Sequence, residues 1–276
     1  ATRTLSIPGL AAASRIHIIL YLAGMMILVG ILQEMGLFSC LVQAILANRA
    51  LTGFRFVLAT ALLGALVSAV AGEAAAVIVV LALVFQVCDT LRVRPTPFVV
   101  LAVLAVNIGS AFCMLGNPVA LFIGIKADCT FVGFTRTAAP AVAAALAVML
   151  AVFALAERRG IRELTAKFAA HRAADRDLGP VVGGIPVLRI TAALAVVLLP
   201  LLFHPAIERL IGFSPDDGRH PFLMVAPLAL AAGALLIRPE RARRSFSEHI
   251  DWVSIFFLLA LFIIAGSLEK LPVAAR

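Results

Sequence analysis

Long apolar runs alternate with short polar segments along the whole chain. A helix must contribute about 20 residues to cross a hydrocarbon core of about 30 Å. Most of the runs approach or exceed that length. They cover residues 16–38, 54–71, 74–91, 98–125, 137–155, 187–203, 222–237 and 252–268. The pattern predicts an all-α, polytopic membrane protein.

Two segments do not fit a simple succession of spans. Residues 39–49 mix polar and apolar positions, which is typical of a segment lying in the membrane interface. Residues 157–186 form the one long hydrophilic connection, and it is rich in arginine. We interpret it as a basic cytoplasmic linker with a central amphipathic helix that Gly179-Pro180 and Gly183-Gly184 end.

The placement of basic residues indicates the orientation. Lysine and arginine favour the cytoplasmic side, which puts the linker inside and the weakly charged loop 204–221 outside. Arginines on both sides of the pair of runs 54–71 and 74–91 put both ends of that pair inside as well. We expect an integral protein of the bacterial inner (cytoplasmic) membrane.

The composition supports lipid as the main surrounding. Hydrophobic residues make up 63% of the chain and charged residues 14%, with a net charge of +8. The basic residues sit between apolar runs, so we expect contacts with membrane lipid rather than with nucleic acid. The sequence has neither the spacing of a metal site nor a nucleophile–base set. We therefore expect a protein that is not an enzyme and has no cofactor beyond a coupling Na⁺ or H⁺.

The run 98–125 contains the most distinctive polar feature. Asn107 and Gly109-Ser110 are followed by Gly116-Asn117-Pro118. Glycine and proline disrupt a helix, and main chain freed in a membrane must find partners. This pattern predicts a broken helix that lines a substrate or ion site, and a structural kink packed by neighbouring helices is the alternative.

A second candidate lies between the paired runs, at Gly72-Glu73. A carboxylate at membrane depth is costly and marks a functional position by default. Glu73 can bind a cation, take a proton or repel an anion there. The alternative is an ordinary loop at the outer interface, because both runs are long enough to span.

Residues 24–34 also resemble residues 260–270. The charge pattern predicts that the two copies run in opposite directions. Repeats of opposite orientation are common in secondary transporters. We therefore predict the first unit of an inverted-repeat transporter.

At these residues the chain resembles the arsenite permease, sodium/proton antiporter and citrate transporter group of the ion transporter superfamily, which includes the melanosomal P protein. Four stretches carry the resemblance. They are Gly24–Val29 with Gly36–Phe38, the paired runs around Ser68, the motif from Asn107 to Pro118, and Ile250–Trp252.

The resemblance implies an architecture and a division of the chain. The paired runs become a re-entrant hairpin whose tip lies beside the unwound part of the next helix. Residues 1–156 form the first repeat, 157–186 the linker, and 187–276 connecting spans with the start of the second repeat. Alternating access then moves the site between the two sides.

The chain also departs from this group. Members often carry Asp-Asn and threonines at the hairpin tip, where this chain has Gly72, Glu73, Ala75 and Ala76. Ala120 replaces a common asparagine. The second hairpin and second broken helix are absent before Arg276. We expect either a downstream half or another chain, such as a second copy in a homodimer, to complete the unit.

These observations leave three functional hypotheses. The first is a secondary active transporter of a small anion, of the arsenite or carboxylate type, driven by an ion gradient. The second is sodium/proton antiport, in which Glu73 titrates during turnover. The third is a degenerate, non-transporting membrane partner subunit, which the reduced hairpin tip motivates.

Overall fold

A computed structural model describes residues 16–48, 50–127, 129–174, 187–212, 221–237 and 252–268. Twelve α-helices account for nearly all of these residues. They are α1 (Ile16–Glu34), α2 (Leu37–Leu46), α3 (Gly53–Ala71), α4 (Glu73–Leu91), α5 (Thr96–Ser110), α6 (Pro118–Lys126), α7 (Phe131–Ala156), α8 (Arg158–Ala173), α9 (Val187–Leu202), α10 (His204–Ile211), α11 (Pro221–Ile237) and α12 (Trp252–Leu268).

The chain forms two compact units. One comprises residues 35–194, and the other comprises residues 1–34 with 195–276. In the second unit α1 packs against α11 and α12. Gly24 allows close approach there, because a Cβ at this position would lie 2.8 Å from the main-chain nitrogen of Leu228.

The unit of residues 35–194 is built around the hairpin of α3 and α4, with α5 packed along α3. Small residues bring α3 and α5 together. A Cβ on Gly109 would lie 2.2 Å from the Cα of Ala65, and one on Gly64 would lie 3.4 Å from the Cβ of Ala105. Helices in membranes associate through such small-residue contacts, since lipid supplies no hydrophobic drive.

An aromatic cluster packs the open end of the hairpin. The ring centroids of Phe56 and Phe98 are 5.9 Å apart, and those of Phe56 and Phe168 are 6.0 Å apart. Phe153 adds a third contact, 6.1 Å from Phe98. The cluster thereby joins α3, α5, α7 and α8.

Helix α8 lies against both feet of the hairpin, which are the start of α3 and the end of α4. The Gly53 N–H at the start of α3 donates to Thr165 Oγ1 at 3.0 Å. The Lys167 ammonium donates to the Arg92 carbonyl just after α4 at 2.6 Å. Helix ends leave main-chain groups without partners, and α8 provides partners to one such group at each foot.

Three helices in the described residues are long and apolar enough to cross a membrane, namely α3, α4 and α7. A fourth is obtained if α1 and α2 are counted as one bent span. The predicted all-α membrane protein is confirmed at this level. The inverted relation between repeats stays a prediction.

Several element boundaries differ from the expectation. The apolar run 16–38 is interrupted after Glu34, because Gly36 adopts a left-handed conformation with φ of 86°. The segment 39–49 is largely helical, as part of α2, and its position in the membrane interface stays a prediction. The run 137–155 starts earlier, at Phe131, where Thr130 caps α7 by accepting from the Gly133 N–H at 3.0 Å.

The basic linker contains the expected amphipathic helix, but it differs in position. It begins at Arg158, directly after α7, and ends at Ala173, before the glycine-rich stretch. Its apolar face is buried through Ile161, Leu164 and Phe168. This segment is therefore packed into the unit of residues 35–194.

Candidate functional site

Gly72 forms the hairpin tip alone. It ends α3 and precedes α4, with φ of 81° and ψ of 168°. This conformation is essentially restricted to glycine. The Gly72 N–H donates to the Ser68 carbonyl at 3.0 Å, and the Gly72 carbonyl accepts from the Ala76 N–H at 3.2 Å. Glu73 is consequently the first residue of α4.

The predicted break in the following helix lies between Ser110 and Pro118. A series of short turns replaces the regular hydrogen bonds, including the bond from the Gly116 N–H to the Cys113 carbonyl at 3.3 Å. Asn117 then caps α6, since its Oδ1 accepts from the Val119 N–H at 2.8 Å. Pro118 occupies the first helical position, where the missing N–H costs least.

One carboxylate oxygen joins the hairpin tip to this break. Glu73 Oε1 accepts from Ser110 Oγ at 2.7 Å and from Asn117 Nδ2 at 2.6 Å. Ser110 is buried, whereas Glu73 and Asn117 are half-buried. We call these three residues the tip cluster. The second carboxylate oxygen of Glu73, Oε2, has no hydrogen-bond donor within the described residues. It is therefore available to bind a proton, a cation or a polar solute.

Main-chain contacts hold the two segments together around the cluster. A Cβ on Gly116 would lie 2.4 Å from the Ser110 carbonyl oxygen and 2.8 Å from that of Ser68. The Cys113 thiol donates to the Ala69 carbonyl at 2.8 Å. The tip and the break are therefore in direct contact.

The Ser110 hydroxyl lies within hydrogen-bond distance of two acceptors. It lies 2.7 Å from Glu73 Oε1 and 2.9 Å from the Asn107 carbonyl oxygen. A hydroxyl has one proton to donate and can also accept. Ser110 can donate to an ionised Glu73, or accept from a protonated Glu73 while donating to Asn107. The arrangement is compatible with both protonation states.

Helix ends add to the electrostatics of the cluster. Glu73 opens α4 and Asn117 caps α6, so two helix N-termini meet there. The N-terminus of a helix carries a partial positive charge and free N–H groups that favour anions. The cluster thus combines one carboxylate with an environment that favours negative charge.

The structure brings together some of the predicted site residues. Ser110 and Asn117 both donate hydrogen bonds to Glu73. Gly72 and Gly116 shape the main chain beside them, and Pro118 is the first residue of α6. Gly109 contacts α3 instead. Asn107 is exposed, and its Nδ2 donates to the Val103 carbonyl of its own helix at 3.0 Å. The binding role of these residues stays a prediction.

Two contributors were not predicted from the sequence. No sequence pattern singled out Cys113, and Ser68 was named only as part of the resemblance. Both are buried. Their roles depend on main-chain contacts between segments more than 40 positions apart, which no local pattern indicates.

Residues 1–275 match the family described as CitMHS, citrate transporter. No solved structure matches the chain. The family match covers the hairpin, the broken helix and both units, which is nearly the whole chain.

The curated relatives are mycobacterial. An uncharacterized transporter of Mycobacterium tuberculosis is 28% identical over 264 residues, which is 92% of this chain and 56% of the relative. A second one from that species is 29% identical over 262 residues, with 94% and 57% covered. A 46 kDa membrane protein of Mycobacterium leprae is 24% identical over 262 residues, with 93% and 57% covered. The chain spans about half the length of these relatives.

Proposed function

We propose that this chain, which belongs to the CitMHS citrate transporter family, is part of a secondary active transporter of a small anion. The carboxylate type, with citrate as the first candidate, is favoured by the family description. Arsenite is the other anion to be tested. The complete transporter would comprise this chain and the remaining half that its relatives possess, either downstream or from another chain.

The tip cluster is the single observation that carries this proposal. The tip of the helical hairpin and the break in the following helix both lie between apolar helices. They meet at Glu73, Ser110 and Asn117. Polar groups at membrane depth are costly and usually lie along a substrate or ion pathway. The two helix N-termini favour an anion at this point.

Glu73 adds a requirement for coupling. An ionised carboxylate repels an anionic substrate, so a proton or a cation must neutralise it before the anion binds. The free Oε2 is available for either, and Ser110 can reorient to suit either state. We therefore propose co-transport with H⁺ or Na⁺.

Uptake by the full-length natural protein in proteoliposomes tests this proposal. Labelled citrate and arsenite are offered separately, with an imposed pH gradient, an imposed Na⁺ gradient, or neither. We expect accumulation of one anion only when one of the gradients is present. Lack of any anion uptake under all three conditions would contradict the proposal and leave sodium/proton antiport or a non-transporting partner subunit.

Sodium/proton antiport is the second candidate, and it is favoured by Glu73 Oε2, to which no described residue donates a hydrogen bond. In that case Na⁺ and H⁺ compete for Glu73, and no anion moves. Glu73→Gln should then abolish pH-dependent Na⁺ flux. Unchanged Na⁺ flux in this variant would exclude antiport through Glu73.

A further inference from the structure

A long apolar groove runs along the outside of the unit of residues 35–194. It lies between α5 and α7 and encloses about 870 Å³. Its lining is almost entirely aliphatic, with Val100, Leu104 and Ile108 on one side and Val148 and Val152 on the other. Val148 is 63% exposed and Val152 is 59% exposed, so the helices themselves leave the groove open.

The length of the groove fits one leaflet of a membrane. It extends along α5 from Thr96 to Ile108, which corresponds to about 18 Å of helix at 1.5 Å per residue. Half of a hydrocarbon core is about 15 Å thick. An acyl chain lying in the groove would therefore reach from the interface to about the middle of the bilayer.

Only one end of the groove is polar, and that end is basic. Thr96 and Glu157 line it. Arg94 lies two residues before Thr96, and Arg158 and Arg159 directly follow Glu157. All three arginines are exposed, and within the described part of the chain none of them forms an ion pair. Three arginines against one glutamate leave an excess of positive charge where a lipid headgroup would lie.

We propose that this groove binds an anionic phospholipid, with one acyl chain between α5 and α7 and the phosphate at Arg94, Arg158 and Arg159. Basic pockets between helices at the cytoplasmic surface recognise anionic headgroups, and arginine matches phosphate geometry well. The positive-inside rule places this end of the unit at the cytoplasm. The charge at the groove's end favours a lipid over another apolar protein surface.

Photocrosslinking tests the proposal on the full-length natural protein in vesicles. The probes are photoactivatable phosphatidylglycerol and phosphatidylcholine with the reactive group at the end of one acyl chain. We expect crosslinks within residues 100–108 and 144–152, with phosphatidylglycerol favoured roughly tenfold. The double variant Arg94→Gln with Arg158→Gln should remove this preference, whereas Arg136→Gln with Arg209→Gln should preserve it.

A second pair of variants tests whether the chain occupies the groove. Ala145 lines the groove and Ala147 does not, and both are exposed on α7. Ala145→Phe should reduce the crosslinks at least several-fold, whereas Ala147→Phe should leave them unchanged. Three results would overturn the proposal, and the first is equal labelling by the two lipids. The second is an arginine double variant that loses the preference for phosphatidylglycerol while Ala145→Phe leaves the crosslinks unchanged. The third is a change in the oligomeric state of Ala145→Phe with lipid labelling unchanged.

Discussion

Glu73 Oε1 accepts two hydrogen bonds from residues that lie 37 and 44 positions later in the sequence. The sequence could indicate that Glu73, Ser110 and Asn117 are polar residues in apolar surroundings. It could not indicate which of them meet, because the two segments are separated by the whole of α4 and α5. Asn107 illustrates the limit: it is polar and lies in the same motif, yet its amide bonds to its own helix.

Asn117→Ala should strongly reduce transport. The variant removes one donor to Glu73 and the cap of α6, and a hydrogen bond to a charged group contributes about 1.5–3 kcal/mol. We expect the rate of anion uptake to fall roughly tenfold or more. Proteoliposome uptake measures the effect, with Asn107→Ala as the matched comparison. An Asn107→Ala variant that is impaired more than Asn117→Ala would contradict the importance of the tip cluster.

Gly72→Ala should destabilise the hairpin. A side chain at this φ and ψ costs on the order of 1–3 kcal/mol, although the nearest atom to the new Cβ, the Gly116 carbonyl oxygen, is 3.7 Å away. The loss therefore comes from the main chain rather than from a clash. Unfolding of the purified protein in detergent measures it. Gly160→Ala serves as the control, because that glycine lies within α8 and its φ is not in the left-handed region, and equal stability of both variants would contradict this explanation.

Among the elements, the hairpin and the broken helix agree most closely with the sequence. The runs 54–71 and 74–91 correspond to α3 and α4 within one residue, because each is mostly apolar and glycine separates them. The break between α5 and α6 was indicated by glycine, asparagine and proline in an apolar run. The break at Gly36 was not predicted, since a single glycine within an apolar run seldom interrupts a helix.

The contact between α3 and α5 leads to a prediction about Gly109. A Cβ there would overlap the main chain of Ala65, so Gly109→Ala must push the two helices apart. Overpacking of this kind costs about 1–3 kcal/mol or more. We expect lower thermal stability and weaker uptake. Gly233→Ala is the control, because nothing lies within 4 Å of a Cβ at that position. A Gly109→Ala variant as stable as Gly233→Ala would contradict the observed packing.

Helix α8 is the element whose structural role was least predictable from the sequence. Its basic composition indicated a cytoplasmic linker, and no pattern indicated that Thr165 and Lys167 contact the two feet of the hairpin. The double variant Thr165→Val with Lys167→Met should free both feet. We expect faster hydrogen exchange at the Gly53 amide and in residues 92–96, measured by mass spectrometry. Arg162→Gln, an exposed change on the same helix, should leave these rates unaltered, and identical exchange in both variants would exclude this role for α8.

At the scale of the whole molecule, the sequence predicted the class of protein better than its organisation. Apolar composition and run length suffice to indicate a membrane protein, because lipid is the only surrounding that accommodates so many long apolar helices. The grouping of residues 1–34 with 195–276 depends on contacts between distant segments, such as Gly24 with Leu228. Local patterns contain no information about such pairs.

The chain spans about half the length of its mycobacterial relatives, so the proposed transport has to be tested on the full-length natural protein. The tip cluster lies within this half, which makes it accessible to a direct test. The central claim is that the transported anion binds beside Glu73, where the hairpin tip meets the broken helix.

Substrate protection of a cysteine at the tip tests this claim most directly. Ala74→Cys, next to Glu73, and Ala127→Cys, after α6, are introduced separately into a cysteine-free, full-length protein. Both positions are exposed. Each variant is treated with a membrane-impermeant thiol reagent, with and without citrate and the coupling ion. At about ten times the dissociation constant, we expect citrate to slow labelling of Ala74→Cys roughly tenfold and to leave Ala127→Cys unchanged. If the protein accumulates citrate while labelling of Ala74→Cys is the same with and without it, the anion does not bind at the tip cluster.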